Sequence, residues 1–141
     1  LPSYVTRAQL EDRFGPTEVA QAAWRDALDD DQVIAAAIAG AGELIDGYLL
    51  GGGYALPLDP VPALIGKIAL DIAWYDLWRN AIPDDVATRY KDALKQLADI
   101  QSGRIALPNA AGAAIEPTAS DNEVLFEEGS RTFTRDSMGG Y

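Results

Sequence analysis

Val33-Ile34-Ala35-Ala36-Ala37-Ile38-Ala39-Gly40-Ala41-Gly42-Glu43-Leu44-Ile45-Asp46-Gly47-Tyr48-Leu49 decides the fold class. Val33, Ile34, Ala37, Ile38, Ala41, Leu44, Ile45, Tyr48 and Leu49 recur at three- and four-residue spacing, so one side of a helix is apolar and faces a core. Ala35, Ala36, Ala39, Gly40 and Gly42 fall on the opposite face and are small enough for close backbone approach. Asp29-Asp30-Asp31 puts negative charge where the dipole of that helix favours it, and Gly51-Gly52-Gly53 ends it.

Working outward, Thr6 to Phe14 reads as a short helix with Thr6 as N-cap, Gln9 at the capping-box position and Gly15-Pro16 as the stop. Pro16 to about Arg25 is a second short helix. Ala55 to Val61 is expected to be extended, because its prolines and the leucine before one of them resist helical angles. Pro62 opens a long helix to about Asn80 whose apolar residues cover most of the circumference. Such a helix is either central in its domain or covered by another chain. Asp84 or Asp85 is expected to cap a last helix, to about Ser102, stopped by Gly103. Ala106 to Ser120 has no period and reads as a linker, and Val124 to Tyr141 is weak hairpin or arm material. The expected fold is mainly α: a small helical bundle over residues 1–103, and a linker with an extended C-terminal arm, able to form short β-strands, over 104–141.

The chain has 141 residues, 22 acidic against 11 basic side chains, no histidine and no cysteine. One domain of this size buries roughly 68–70% of its unfolded surface, so a real core is available. Disulfides, thiolate sites and a Ser-His-Asp triad are excluded by composition. A net charge of −11 disfavours a surface that neutralises nucleic-acid phosphates or anionic lipid. No uninterrupted apolar run approaches the ~20 residues of a bilayer span, and no secretory signal is seen. The expectation is a soluble acidic module.

Candidate chemistry is sparse. Gly51-Gly52-Gly53 and the later Gly66-Lys67 lack phosphate-loop spacing, and Ile68 stands where a hydroxyl is needed. Asp26 with Asp29-Asp30-Asp31 does not follow the ligand pattern of a calcium loop. Asp71 and Asp76, five apart on a helix, diverge by about 140° and cannot face one substrate. Lys67 and Asp71, four apart, share a face and form either a salt bridge or a polar contact between subunits. Trp24, Trp74 and Trp78 suit a core or an interface better than ligand stacking. Arg131 and Arg135 flank Phe133 two residues away on each side, so a strand would project all three from one face. They serve protein recognition or belong to a tail without a role.

Three passages together resemble a known family: Ile45-Asp46-Gly47-Tyr48-Leu49 followed by Tyr54-Ala55-Leu56-Pro57-Leu58 and Val61-Pro62; Ala69-Leu70-Asp71-Ile72-Ala73-Trp74-Tyr75; and Phe133-Thr134-Arg135-Asp136-Ser137-Met138. In this order they resemble the small head–tail connector (adaptor) proteins of Mu-like tailed bacteriophages and prophages, with Gly53 where that family usually has arginine. The resemblance implies a structural virion protein, not an enzyme, with no cofactor, no metal and no catalytic residues. It implies a homo-oligomeric ring, twelvefold, at the head–tail neck of the capsid vertex. Its partners would be the phage portal protein and a tail terminator or other neck protein, and DNA would pass through the lumen without specific binding. The chain would be made in the host cytoplasm and would touch no membrane. Interface residues would be Lys67, Asp71, Trp74, Trp78 and Tyr54 in the domain, with Phe126, Arg131, Phe133, Arg135 and Asp136 in the arm. Two rivals are an acidic DNA mimic or inhibitor, which would carry regular rows of surface carboxylates, and an enzyme, which would need converging carboxylates in a pocket.

Overall fold

Five helices account for the regular structure of the computed structural model, which describes residues 3–117. They are α1 (Arg7–Phe14), α2 (Pro16–Ala23), α3 (Asp30–Gly51), α4 (Ala63–Leu77) and α5 (Asp84–Gln101). Each boundary has a local cause. The Thr6 side chain accepts from the Gln9 amide while the Gln9 side chain returns to the Thr6 amide, a complete capping box at α1. Gly15, at φ 94°, turns the chain directly into Pro16 of α2. Asp29 caps α3 by accepting from Asp31 N, and Asp30 and Asp31 occupy its first turn. The start of α5 departs from expectation. Pro83 is the N-cap and no side chain caps the helix, so Asp84 and Asp85 act only as first-turn charges on the dipole.

α3, α4 and α5 pack on one another, and α1 and α2 close the remaining side of α4. Ile34, Ala37, Ala41, Ile45 and Leu49 bury the α3 stripe, while Val33, Ile38, Leu44 and Tyr48 line its edges. Ile68, Ile72 and Leu97 are fully inside, with Leu94 half-buried beside them. The small face of α3 is mostly open: Ala35, Ala36 and Ala39 are exposed, while Gly40 faces Asp76 of α4 and Gly42 is buried near the Tyr4 ring. By length and composition α3 could cross a membrane, with mean hydropathy 1.6. This corrects the expectation drawn from uninterrupted runs. A third of that apolar span is buried inside the structure, on the side that packs against α4 and α5.

The two alternatives for the apolar circumference of α4 are resolved inside the chain. Ile65, Ile68, Ala69, Ile72, Ala73, Trp74 and Leu77 are all buried by the four other helices. The helix stops at Leu77, three residues earlier than expected, and Trp78 is already extended.

Two stretches differ from their expected form. The 55–61 segment is bent rather than extended, with cis peptide bonds at Leu56-Pro57 and Asp59-Pro60. Its Leu58, and Tyr54 just before it, reach the core. The expected linker is anchored to the core at Leu107 and Ile115, and the residues between them are exposed. Leu107 is fully buried, Ile105 and Ile115 lie against the core, and Ile115 N donates to Leu107 O at 2.6 Å. Asn109 Oδ1 holds the intervening turn by accepting from the Ala111 and Ala113 amides at 2.9 and 3.0 Å. Isolated bridges at Arg25–Leu28 and Pro108–Ala114 are the β-pairings among the described residues. The expected hairpin of 124–141 lies outside them.

Candidate partner-binding surface

The ends of α3 carry the exposed apolar surface. At its N-terminal end, the 24–28 turn leaves Trp24 64% and Leu28 54% exposed. That turn is built, not loose. Arg25 donates from Nη1 to Ala22 O and Trp24 O, both at 2.8 Å, and from Nη2 to Leu77 O at 2.6 Å, tying the turn to the end of α4. The clamp holds Ala27 at φ 65°, a left-handed angle that alanine adopts only when its surroundings impose it. Beside Trp24 lies a groove that Trp74 and Trp78 also line, rimmed by Glu18, Arg25 and Arg79.

At the other end of α3, Leu50 is 62% exposed, and Val61, just before α4, is 40% exposed. Leu50, Leu56 and Pro57 line an apolar groove of about 500 Å³. Glu43 and Asp46 stand along it, and Asp46 accepts a hydrogen bond from the Tyr4 hydroxyl. Burial and that carboxylate together raise the Tyr4 pKa well above the usual phenol range.

The expected interface residues of the domain divide. Tyr54, Asp71 and Trp74 are buried inside this chain and hold its own core. Trp74 stacks on Phe14, centroids 4.4 Å apart, and meets Trp78 edge-on at 5.7 Å. Lys67 is exposed and Trp78 half-buried. Phe126, Arg131, Phe133, Arg135 and Asp136 lie outside the described residues.

Lys67 and Asp71 do not form the expected salt bridge; the ion pairs among the described residues belong to Arg7 and Arg104. Asp71 sinks below the surface instead, and its Oδ1 has no hydrogen-bond partner. Burial raises its pKa, opposed by Arg13 of α1, Lys67 of its own helix and Arg89 of α5, and reinforced by Asp92. Asp76 is exposed while Asp71 is buried, so the two carboxylates do not converge. Among the described residues no group of three or more Asp or Glu side chains could hold a metal ion.

Sequence reasoning singled out Trp24 only as core or interface and passed over Leu28, Leu50 and Val61. The signal for Leu50 was available, since it falls off the α3 stripe beside Leu49. The exposure of Trp24 depends on the non-local Arg25–Leu77 clamp, which no periodicity reports.

Fold and surface together define an acidic protein whose described residues form five helices, with apolar side chains presented at two ends of one of them. The Bacteriophage Mu, Gp36 family matches residues 4–126. The chain is 30% identical over 140 residues to the Mu-like prophage FluMu protein gp36 of Haemophilus influenzae, covering 98% of this chain and 97% of that protein. It is 32% identical over 79 residues to gene product J of Escherichia phage Mu, covering 56% of this chain and 55% of that protein. This is a Mu-like phage protein. It belongs to the Bacteriophage Mu Gp36 family.

Proposed function

We propose that the chain is a structural virion protein that forms the head-to-tail connector (adaptor) ring between portal and tail, with a lumen for DNA. One observation carries the proposal. Two unlike apolar patches, Trp24 with Leu28 and Leu50 with Leu56 and Pro57, sit at opposite ends of α3, a helix about 33 Å long. A closed ring of identical subunits needs that arrangement, because each copy presents one surface to the neighbour on its left and a different one to the neighbour on its right. The buried circumference of α4 no longer asks for a partner, so the ends of α3 are the natural contact sites. The net charge of −11 suits a lumen that repels phosphate and leaves sliding DNA no counterion-releasing contacts. Many of the acidic side chains cluster near helix starts, as at Asp29, Asp30 and Asp31 and at Asp84 and Asp85, which favours the connector over a DNA mimic with regular carboxylate rows.

Reconstruction of the virion tests this. The expected result is a ring of this chain at the capsid vertex, in contact with portal on one side and with tail or another neck protein on the other. Density for the chain on the capsid shell or at the tail tip would refute it.

A further inference from the structure

The groove at the C-terminal end of α3 has a floor of Leu50, Leu56 and Pro57 and carries the carboxylates of Glu43 and Asp46. We propose that this groove is the seat of the chain's own arm, with Phe133 of Arg131-Thr132-Phe133-Thr134-Arg135 on the apolar floor and Arg131 and Arg135 on Glu43 and Asp46. The seating does not require the ring and concerns the isolated chain.

Charge complementarity selects the segment. Arg131 and Arg135 are the sole basic residues after Pro117, and they bracket Phe133 at a spacing that sets all three on one face of an extended segment. An aromatic ring then meets the apolar floor while both guanidinium groups reach carboxylates in charge-assisted hydrogen bonds. Phe126 is the other phenylalanine of the arm, but Glu123, Glu127 and Glu128 surround it. Those charges would be repelled by Glu43 and Asp46, so the groove discriminates between the two rings.

Reach and direction agree. The end of α5 lies against the end of α3: a Cβ on Gly52 would meet Gln101 Cα at 3.1 Å and its carbonyl oxygen at 3.2 Å. The chain therefore leaves its last helix beside the end of the molecule that carries the groove. Fifteen residues lie between Pro117 and Phe133, and the sixteen steps, fully extended, span at most about 53–58 Å, more than the roughly 33 Å length of α3. A tether of this kind supplies an effective concentration on the order of millimolar. In dilute solution the chain's own arm outcompetes that of a neighbour.

Disulfide trapping in the full-length chain tests the seat, helped by the absence of native cysteine. Gly47 is at the groove and has open space where a Cβ would stand. Gly47→Cys combined with Thr132→Cys or with Thr134→Cys should oxidise at micromolar protein to a monomeric species that migrates faster on a non-reducing gel. The same arm cysteines combined with Ala36→Cys, an exposed position near the other end of α3, should oxidise at least about tenfold more slowly. Phe133→Ala should remove that preference, and Glu43→Arg should weaken it unless Arg131→Glu is added. Equal trapping at Gly47 and Ala36, covalent dimers in place of monomers, or a preference unchanged by Phe133→Ala would each overturn the proposal. Substitutions in the arm should leave the far-ultraviolet helix signal intact, so loss of trapping is separable from loss of fold.

Discussion

Leu107→Ala should destabilise the protein by about 2–5 kcal/mol, the cost of deleting a buried leucine side chain and leaving a cavity. Leu107 is fully buried although it lies beyond the last helix, and the turn that returns the chain to it is fastened at Asn109 and Ile115. For the roughly 115 residues of 3–117 the whole stability is on the order of 6–17 kcal/mol. The melting entropy at about 2.1 cal/mol/K per residue then gives roughly 0.24 kcal/mol per degree. The expected fall in Tm is therefore about 8–20 °C. Thermal unfolding followed at 222 nm measures it, with urea titration to check that the slope, and so the exposed area, is unchanged. Ala106→Ser, at the exposed neighbouring position, should stay within about 0.5 kcal/mol of the parent. If Leu107→Ala also stays within that margin, residues 104–117 do not share the helical core and the packing argument is wrong.

Asp71→Asn should stabilise the fold at neutral pH, since it removes a charge that burial disfavours. Burial raises the folded pKa of Asp71 above its unfolded value near about 3.9. Its favourable contribution is thus complete below the unfolded pKa and is lost as pH rises through the folded one, so the parent should lose ground to the variant from about pH 4 upward; parallel urea midpoints over pH 3–7 would contradict this. Arg25→Met should cost about 1.5–3 kcal/mol by deleting charged hydrogen bonds to three carbonyls, and hydrogen exchange should show the Leu28 amide opening first. Removal of 118–141 should leave the helix signal unchanged and abolish attachment to portal-bearing capsids in a sedimentation assay. Normal attachment would leave the arm without its expected role.

Local signals were legible in the sequence because their causes are local. Thr6 and Gln9 lie three residues apart and Asp29 lies two from the amide it caps, so composition and spacing sufficed for the starts of α1 and α3. The stripe on α3 was equally plain. What spacing could not convey is the identity of the neighbour. The apolar girth of α4 says that it is covered, and only the tertiary packing says that α1, α2, α3 and α5 do the covering. Leu107 is the reverse case: one hydrophobe among small residues has no period, and its burial follows from where α5 delivers it. Asp71 misled for a related reason. Four-residue spacing pairs it with Lys67 on paper, but packing sinks Asp71 below the surface while Lys67 remains exposed, and the charges of Arg13 and Arg89 come from other helices.

A core completed within one chain also fixes how assembly must proceed. Obligate oligomers unfold and dissociate together, so their stability depends on concentration, whereas a self-sufficient domain docks already folded. Here Ile65, Ile68, Ile72 and Leu77 are covered by the chain's own helices, and among the described residues the large exposed apolar side chains are few, Trp24, Leu28, Leu50 and Val61. A pairwise contact through such patches falls short of the roughly 800 Å² per partner of a stable interface. Ring formation would then depend on many weak contacts engaged at once on a surface that holds the subunits in place. The Tm of the free protein should accordingly stay constant, within about 1 °C, across a hundredfold range of concentration. A Tm that climbs with concentration would show that subunit contacts stabilise the fold in the free protein, and the argument that α4 needs no outside partner would fall with it.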